Sequence, residues 1–63
     1  MLQENYRYYC LDRFGQLHNA AWFGAKCDDE AIVAIKAKHP DALCEIWQSN
    51  RLVAILSPER LRA

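Results

Sequence analysis

The stretch Leu43-Cys44-Glu45-Ile46-Trp47-Gln48, then Ser49-Asn50, then Arg51-Leu52-Val53-Ala54-Ile55-Leu56 decides the fold. Two runs rich in branched and aromatic residues flank a two-residue polar turn. That pattern predicts a β-hairpin with strands at about 43–48 and 51–56. Alternation puts Cys44, Ile46, Val53 and Ile55 on one face and Trp47, Leu52 and Ala54 on the other. An antiparallel sheet that buries one face only carries polar residues on the other. Here both faces are apolar, so the second one calls for a cover of its own.

Working outward, the aromatic run Tyr6 to Leu11 predicts a first strand. Asp12-Arg13-Phe14-Gly15-Gln16 is a turn, because Asp opens turns and Gly15 supplies a positive φ. Leu17 to Phe23 predicts a second strand and closes a first hairpin, with Leu17, Asn19, Ala21 and Phe23 opposed to His18, Ala20 and Trp22. In strand 1 the pairs Tyr8/Cys10 and Tyr9/Leu11 alternate, and either could face inward.

A helix at about 29–38 lies between the hairpins. Asp28 is the expected N-cap, with Cys27 and Ile32 spaced as a hydrophobic staple. Asp29 and Glu30 sit at the positive end of the helix dipole, Lys36, Lys38 and His39 at the negative end. Pro40 stops the helix. Ala31, Ile32 and Ile35 form its packing stripe, with Ala34 at the edge. A helix of about ten residues is not stable alone in water, so it must lie on the sheet. Ser57-Pro58-Glu59 predicts one more helical turn within a tail at 57–63.

The order ββαββ follows: a single α+β domain over 1–63. Strand 3 beside strand 1 gives an antiparallel sheet of order 2-1-3-4 with one helix on one face. The helix face is expected to receive Cys44, Ile46, Val53, Ile55, Leu17 and Phe23. The open face is expected to hold Trp47, Leu52, Ala54, Trp22 and His18, with Glu45 beside Trp47 and paired with a cross-strand cation, Arg7 being one candidate, or with a cation of a partner.

The totals narrow the function. A chain of 63 residues has a small core and often needs a disulfide, a metal or a partner. Eight basic residues balance eight acidic ones, which gives no bulk field for nucleic acid or an anionic membrane. The sequence shows no basic start followed by a long apolar run, so neither a signal peptide nor a transmembrane span is expected, and the expected setting is cytoplasmic. Three cysteines far apart are not a disulfide framework, and a reducing compartment suits them as small hydrophobes. Cys10, His18, Cys27, His39 and Cys44 are spread singly, without the close ligand pairs of zinc sites. Gly15 and Gly24 form no phosphate loop, and no motif pairs a nucleophile with a base. Asp12 and His18 could approach across the first hairpin, but a turn aspartate usually bonds its own backbone. The chain is read as no enzyme, with no cofactor and no metal.

What remains is an interaction. Burying one Trp removes roughly 200 Å² from water, an upper bound of about 5 kcal/mol. That is comparable to the stability of a small domain. Three occupants of the open face compete: a second copy, joined by the sheet face or an edge strand; another protein, with this chain as a small regulator or inhibitor; and single-stranded nucleic acid, which neutral charge disfavours. The homodimer is the expectation, with Trp47, Leu52, Trp22, Ala54, His18 and Glu45 as interface residues.

One resemblance accompanies this reading. Tyr6-Arg7-x-Tyr9-Cys10-Leu11-Asp12, Trp22-Phe23-x-Ala25, Asp28-Asp29-Glu30-Ala31-Ile32, His39-Pro40-Asp41-Ala42 and Cys44-Glu45-Ile46-Trp47-Gln48 cover most of the chain. Together they resemble short bacterial proteins of hairpin–helix–hairpin layout with no assigned activity. The resemblance implies the ββαββ fold and a bacterial cytoplasmic setting. It brings no catalytic, cofactor or partner residue.

Overall fold

The computed structural model describes residues 3–57, so the turn expected at Ser57-Pro58-Glu59 falls largely outside the described residues. Four strands and a helix follow in chain order: β1 (Glu4–Leu11), β2 (Leu17–Ala25), α1 (Asp28–Lys38), β3 (Leu43–Gln48) and β4 (Arg51–Leu56). The sheet is antiparallel throughout, in the order β2-β1-β3-β4. This is the expected α+β architecture, with both strands of the first hairpin two residues longer at their outer ends.

Side-chain chemistry builds both turns. Asp12 Oδ1 accepts from the Phe14 and Gln16 amides at 2.9 and 3.0 Å. The Gly15 amide donates to the Asp12 carbonyl at 3.0 Å, and Gly15 takes φ 80°, a conformation that costs glycine little. Asp12 is therefore a turn former, not a partner of His18. In the second hairpin Ser49 takes φ 55° with a Cβ in place, which the tight two-residue connection imposes.

The helix begins one residue earlier than expected. Cys27 is the N-cap residue, and no side chain caps it. Asp28, expected there, is the first helical residue and turns its carboxylate to the sheet. Its Oδ1 accepts from the Tyr6 hydroxyl at 2.9 Å, and both its oxygens accept from Arg51 at 3.0 and 3.1 Å. Glu30 reaches back past the cap and accepts from the Lys26 amide at 2.6 Å, tying the preceding segment to the first turn. With Cys27 as cap, the Cys27–Ile32 staple is out of frame.

The same contacts set the local electrostatics. Burial, then the bond to Asp28, pushes the Tyr6 hydroxyl up to about 12. Hydrogen bonds from Arg51, then Tyr6, hold the Asp28 carboxyl below its usual range. The bond to Asp28 pushes the Arg51 guanidinium up.

The core lies between α1 and one sheet face. Tyr6, Tyr8 and Cys10 of β1, Ala25 of β2, Ala31 and Ile35 of α1, and Cys44 and Ile46 of β3 are buried. Phe23, Ile32, Ala42, Val53 and Leu56 pack around them. Strand 1 thus turns Tyr6, Tyr8 and Cys10 inward and leaves Arg7, Tyr9 and Leu11 for the open face. The Phe23 ring meets Tyr6 stacked at 5.7 Å and Tyr8 edge-on at 5.8 Å.

Two corrections follow from the register. First, β3 and β4 pair Ile46 with Ala54 and Trp47 with Leu52, leaving Val53 as an extra residue. A bulge sets two residues against one, so Val53 and Ala54 both oppose Ile46. Alternation then restarts, placing Leu56 inward and leaving Ile55 55% exposed on the open face. Ala54 moves the other way, off that face. Second, β1 and β2 pair Cys10 with Asn19 and Leu11 with Leu17, leaving His18 as the extra residue. Leu17 therefore joins the open face, 63% exposed, while Phe23 stays inward as expected.

A third correction concerns the cysteines. Cys10 and Cys44 face each other in register on the two central strands and form a disulfide, Cα to Cα 4.1 Å. Both are fully buried, and Cys27 is left as an exposed free thiol. Odd count and wide spacing hid the pair; strand register made it.

Candidate functional site

The open face is built by rows of register partners across the sheet. One row runs Trp22, Arg7, Trp47, Leu52 through β2, β1, β3 and β4. The next runs Ala20, Tyr9, Glu45, Ile55, and a third joins Leu17, Leu11 and Leu43. Residues directly opposite in an antiparallel pair share a face, so these side chains form one surface. Trp22 is 69% exposed there, and Leu52 is exposed as well.

Arg7 is the centre of this surface. Its guanidinium carbon lies 5.6 Å from the Trp47 ring, 5.8 Å from Trp22 and 5.9 Å from Tyr9. Its Nε donates to the Tyr9 hydroxyl at 2.9 Å, and its Nη1 donates to the Ser49 carbonyl at 2.9 Å. Each cation–ring contact at a partly exposed site is worth about 0.5–1 kcal/mol. Together they hold three rings in fixed orientation. Glu45, opposite Tyr9, accepts from Trp47 Nε1 at 3.1 Å. Arg7 is thus spoken for by rings and backbone, and the expected Arg7–Glu45 pair within the chain is not formed.

Of the six residues expected at an interface, Trp47, Leu52, Trp22 and Glu45 come together on this face. Ala54 and His18 are removed from it by the two bulges. Arg7 is the organising centre rather than a simple cross-strand cation, Tyr9 is the strand 1 tyrosine on this face, and Ile55 and Leu17, expected on the helix face, are members of it as well. The signal for Arg7 and Tyr9 was their shared parity in strand 1; Ile55 and Leu17 were masked by the bulges.

His18 lies instead in a cleft of about 650 Å³ at the other end of the sheet, beside Lys38, His39 and Asp41. His39 closes the helix: its amide donates to the Ile35 carbonyl at 2.9 Å, and its Nε2 lies 3.3 Å from the Tyr8 hydroxyl. Among the described residues no group of three His, Cys, Asp or Glu side chains is arranged to hold a metal ion. No described helix is long and apolar enough to cross a membrane.

Comparison with known protein families, with curated proteins and with solved structures finds no match for this chain.

Proposed function

We propose that this protein is a non-catalytic interaction module that homodimerises by burying its open sheet face against the same face of a second copy. One observation carries the reading: Trp22, Trp47, Leu52, Ile55 and Leu17 share the sheet face that α1 does not cover. Trp22 alone leaves roughly 170 Å² in water, an upper bound of about 4 kcal/mol forgone per copy.

The size of the face sets the strength. Four strands about 4.8 Å apart span roughly 19 Å, and eight residues of β1 at about 3.4 Å span roughly 27 Å. Two such faces cover about 1,000 Å² together, the lower limit for a specific interface. The dimer is therefore reversible rather than obligate. The cytoplasmic setting belongs to the same proposal; full burial of Cys10 and Cys44 shields their bond from soluble reductants in the folded chain.

Light scattering behind size exclusion, run over a dilution series, tests this. The Cys27→Ser variant serves as the sample, so that the exposed thiol cannot cross-link two copies. A dimer that dissociates on dilution supports the reading, and a monomer at every concentration overturns it. One observation favours a second reading: an arginine among three rings is also a base-stacking arrangement. Quenching of Trp fluorescence by an oligonucleotide, weakening with salt, would support that instead.

A further inference from the structure

Only two charged side chains stand in the rows of the open face, Arg7 and Glu45. Register pairs Arg7 with Trp47 and Tyr9 with Glu45, so these four residues mark the corners of one quadrilateral. Arg7 and Glu45 occupy one diagonal, and Tyr9 and Trp47 the other. The two charges do not neutralise each other: Arg7 donates to Tyr9 and Ser49, and Glu45 accepts from Trp47. Each keeps unused capacity, a second terminal guanidinium nitrogen on Arg7 and a second carboxylate oxygen on Glu45. Both are half-buried, so an apolar cover would complete their desolvation and leave each without a counter-charge.

We infer that the occupant of this face is a second copy placed so that Arg7 of each chain meets Glu45 of the other. The inference rests on the homodimer reading and supplies its geometry. A twofold axis in the interface plane, midway between Arg7 and Glu45, maps each onto the position facing the other. A single cation offset from a single anion thereby becomes two reciprocal pairs. Tyr9 and Trp47 then lie near the axis and meet their own copies, adding ring contacts at the centre. An unrelated partner would have to carry the same offset of opposite charges, whereas a second copy carries it by symmetry.

Charge exchange tests the arrangement, with dimer dissociation constants measured by sedimentation and folding checked by circular dichroism. Arg7→Glu sets acids against acids across the axis, and Glu45→Arg sets bases against bases. Each variant alone dimerises about tenfold or more weaker than the parent chain. An equimolar mixture of the two regains association as a heterodimer, and the double variant R7E/E45R regains it as a homodimer. Parent dimers with no rescue in the mixture or the double variant overturn the inference and leave the homodimer reading standing. A monomeric parent chain overturns both. If a charge reversal unfolds the chain, Arg7→Gln and Glu45→Gln replace it: both weaken the dimer in the supported case, and an unchanged dissociation constant overturns it.

Discussion

Reducing the Cys10–Cys44 bond removes a cross-link that closes a loop of 34 residues. In the chain-entropy treatment that loop is worth about 4 kcal/mol at 25 °C. A folded chain of this length has a total stability of roughly 3–9 kcal/mol. The bond therefore supplies a large share of it, the staple that so small a core calls for. At about 4–8 °C per kcal/mol, the melting temperature falls by roughly 15–30 °C when the protein is unfolded, reduced and refolded with reductant present. The assay is thermal unfolding followed by circular dichroism, oxidised against reduced, on the Cys27→Ser variant. Thiol counting accompanies it: the denatured but unreduced parent chain exposes one alkylatable cysteine, Cys27, and the reduced chain exposes three. Equal melting temperatures together with three free thiols in the unreduced chain would refute the reasoning.

Four further outcomes are expected. Trp47→Ala weakens self-association by about 2 kcal/mol in a dilution series while the far-ultraviolet helix signal persists; outright unfolding would place Trp47 in the core. Tyr6 binds its proton more tightly when folded, so the stability it contributes is whole below about pH 10 and is lost as pH rises through about 12. Tyr6→Phe flattens that alkaline limb in denaturant titrations at fixed pH, after a loss of about 1 kcal/mol for the bond to Asp28. Asp28 has the opposite sign: its contribution is present at neutral pH and lost as pH falls through its lowered folded value, and Asp28→Asn removes that acid dependence. Ser49→Gly relieves a left-handed residue and raises the urea midpoint by the equivalent of about 1 kcal/mol with an unchanged slope; an unaltered midpoint would show that the turn is unstrained.

Element order, strand pairing and the presence of an uncovered face were legible because they rest on periodicity and on the parity of the chain reversals. Within each strand, alternation separates Trp22 from Phe23 and Trp47 from Ile46, which sets both indoles apart from the core-facing residues. The residues that changed face share one physical origin. A bulge adds a residue that local composition does not announce, and every side chain beyond it changes face. Val53 did this to Ala54 and Ile55, and His18 did it to Leu17. The disulfide failed for a different reason: residues 10 and 44 become neighbours only once β1 and β3 are in register. Asp28 was misplaced because an acidic side chain near a helix start has two uses. Here a tyrosine hydroxyl and an arginine outcompete the helix amides for it.

In the proposed assembly the two bulges would also limit how far association runs. β2 and β4 are the outer strands, and between them they hold a single charged residue, Arg51. Uncharged edges are templates for strand addition, and a bulge is one of the few devices that spoil the template. Each outer strand carries one. A molecule that sticks by its face alone closes as a pair. A molecule that also stuck by a straightened edge would have two independent adhesive sites, and its growth would have no reason to stop short of a filament.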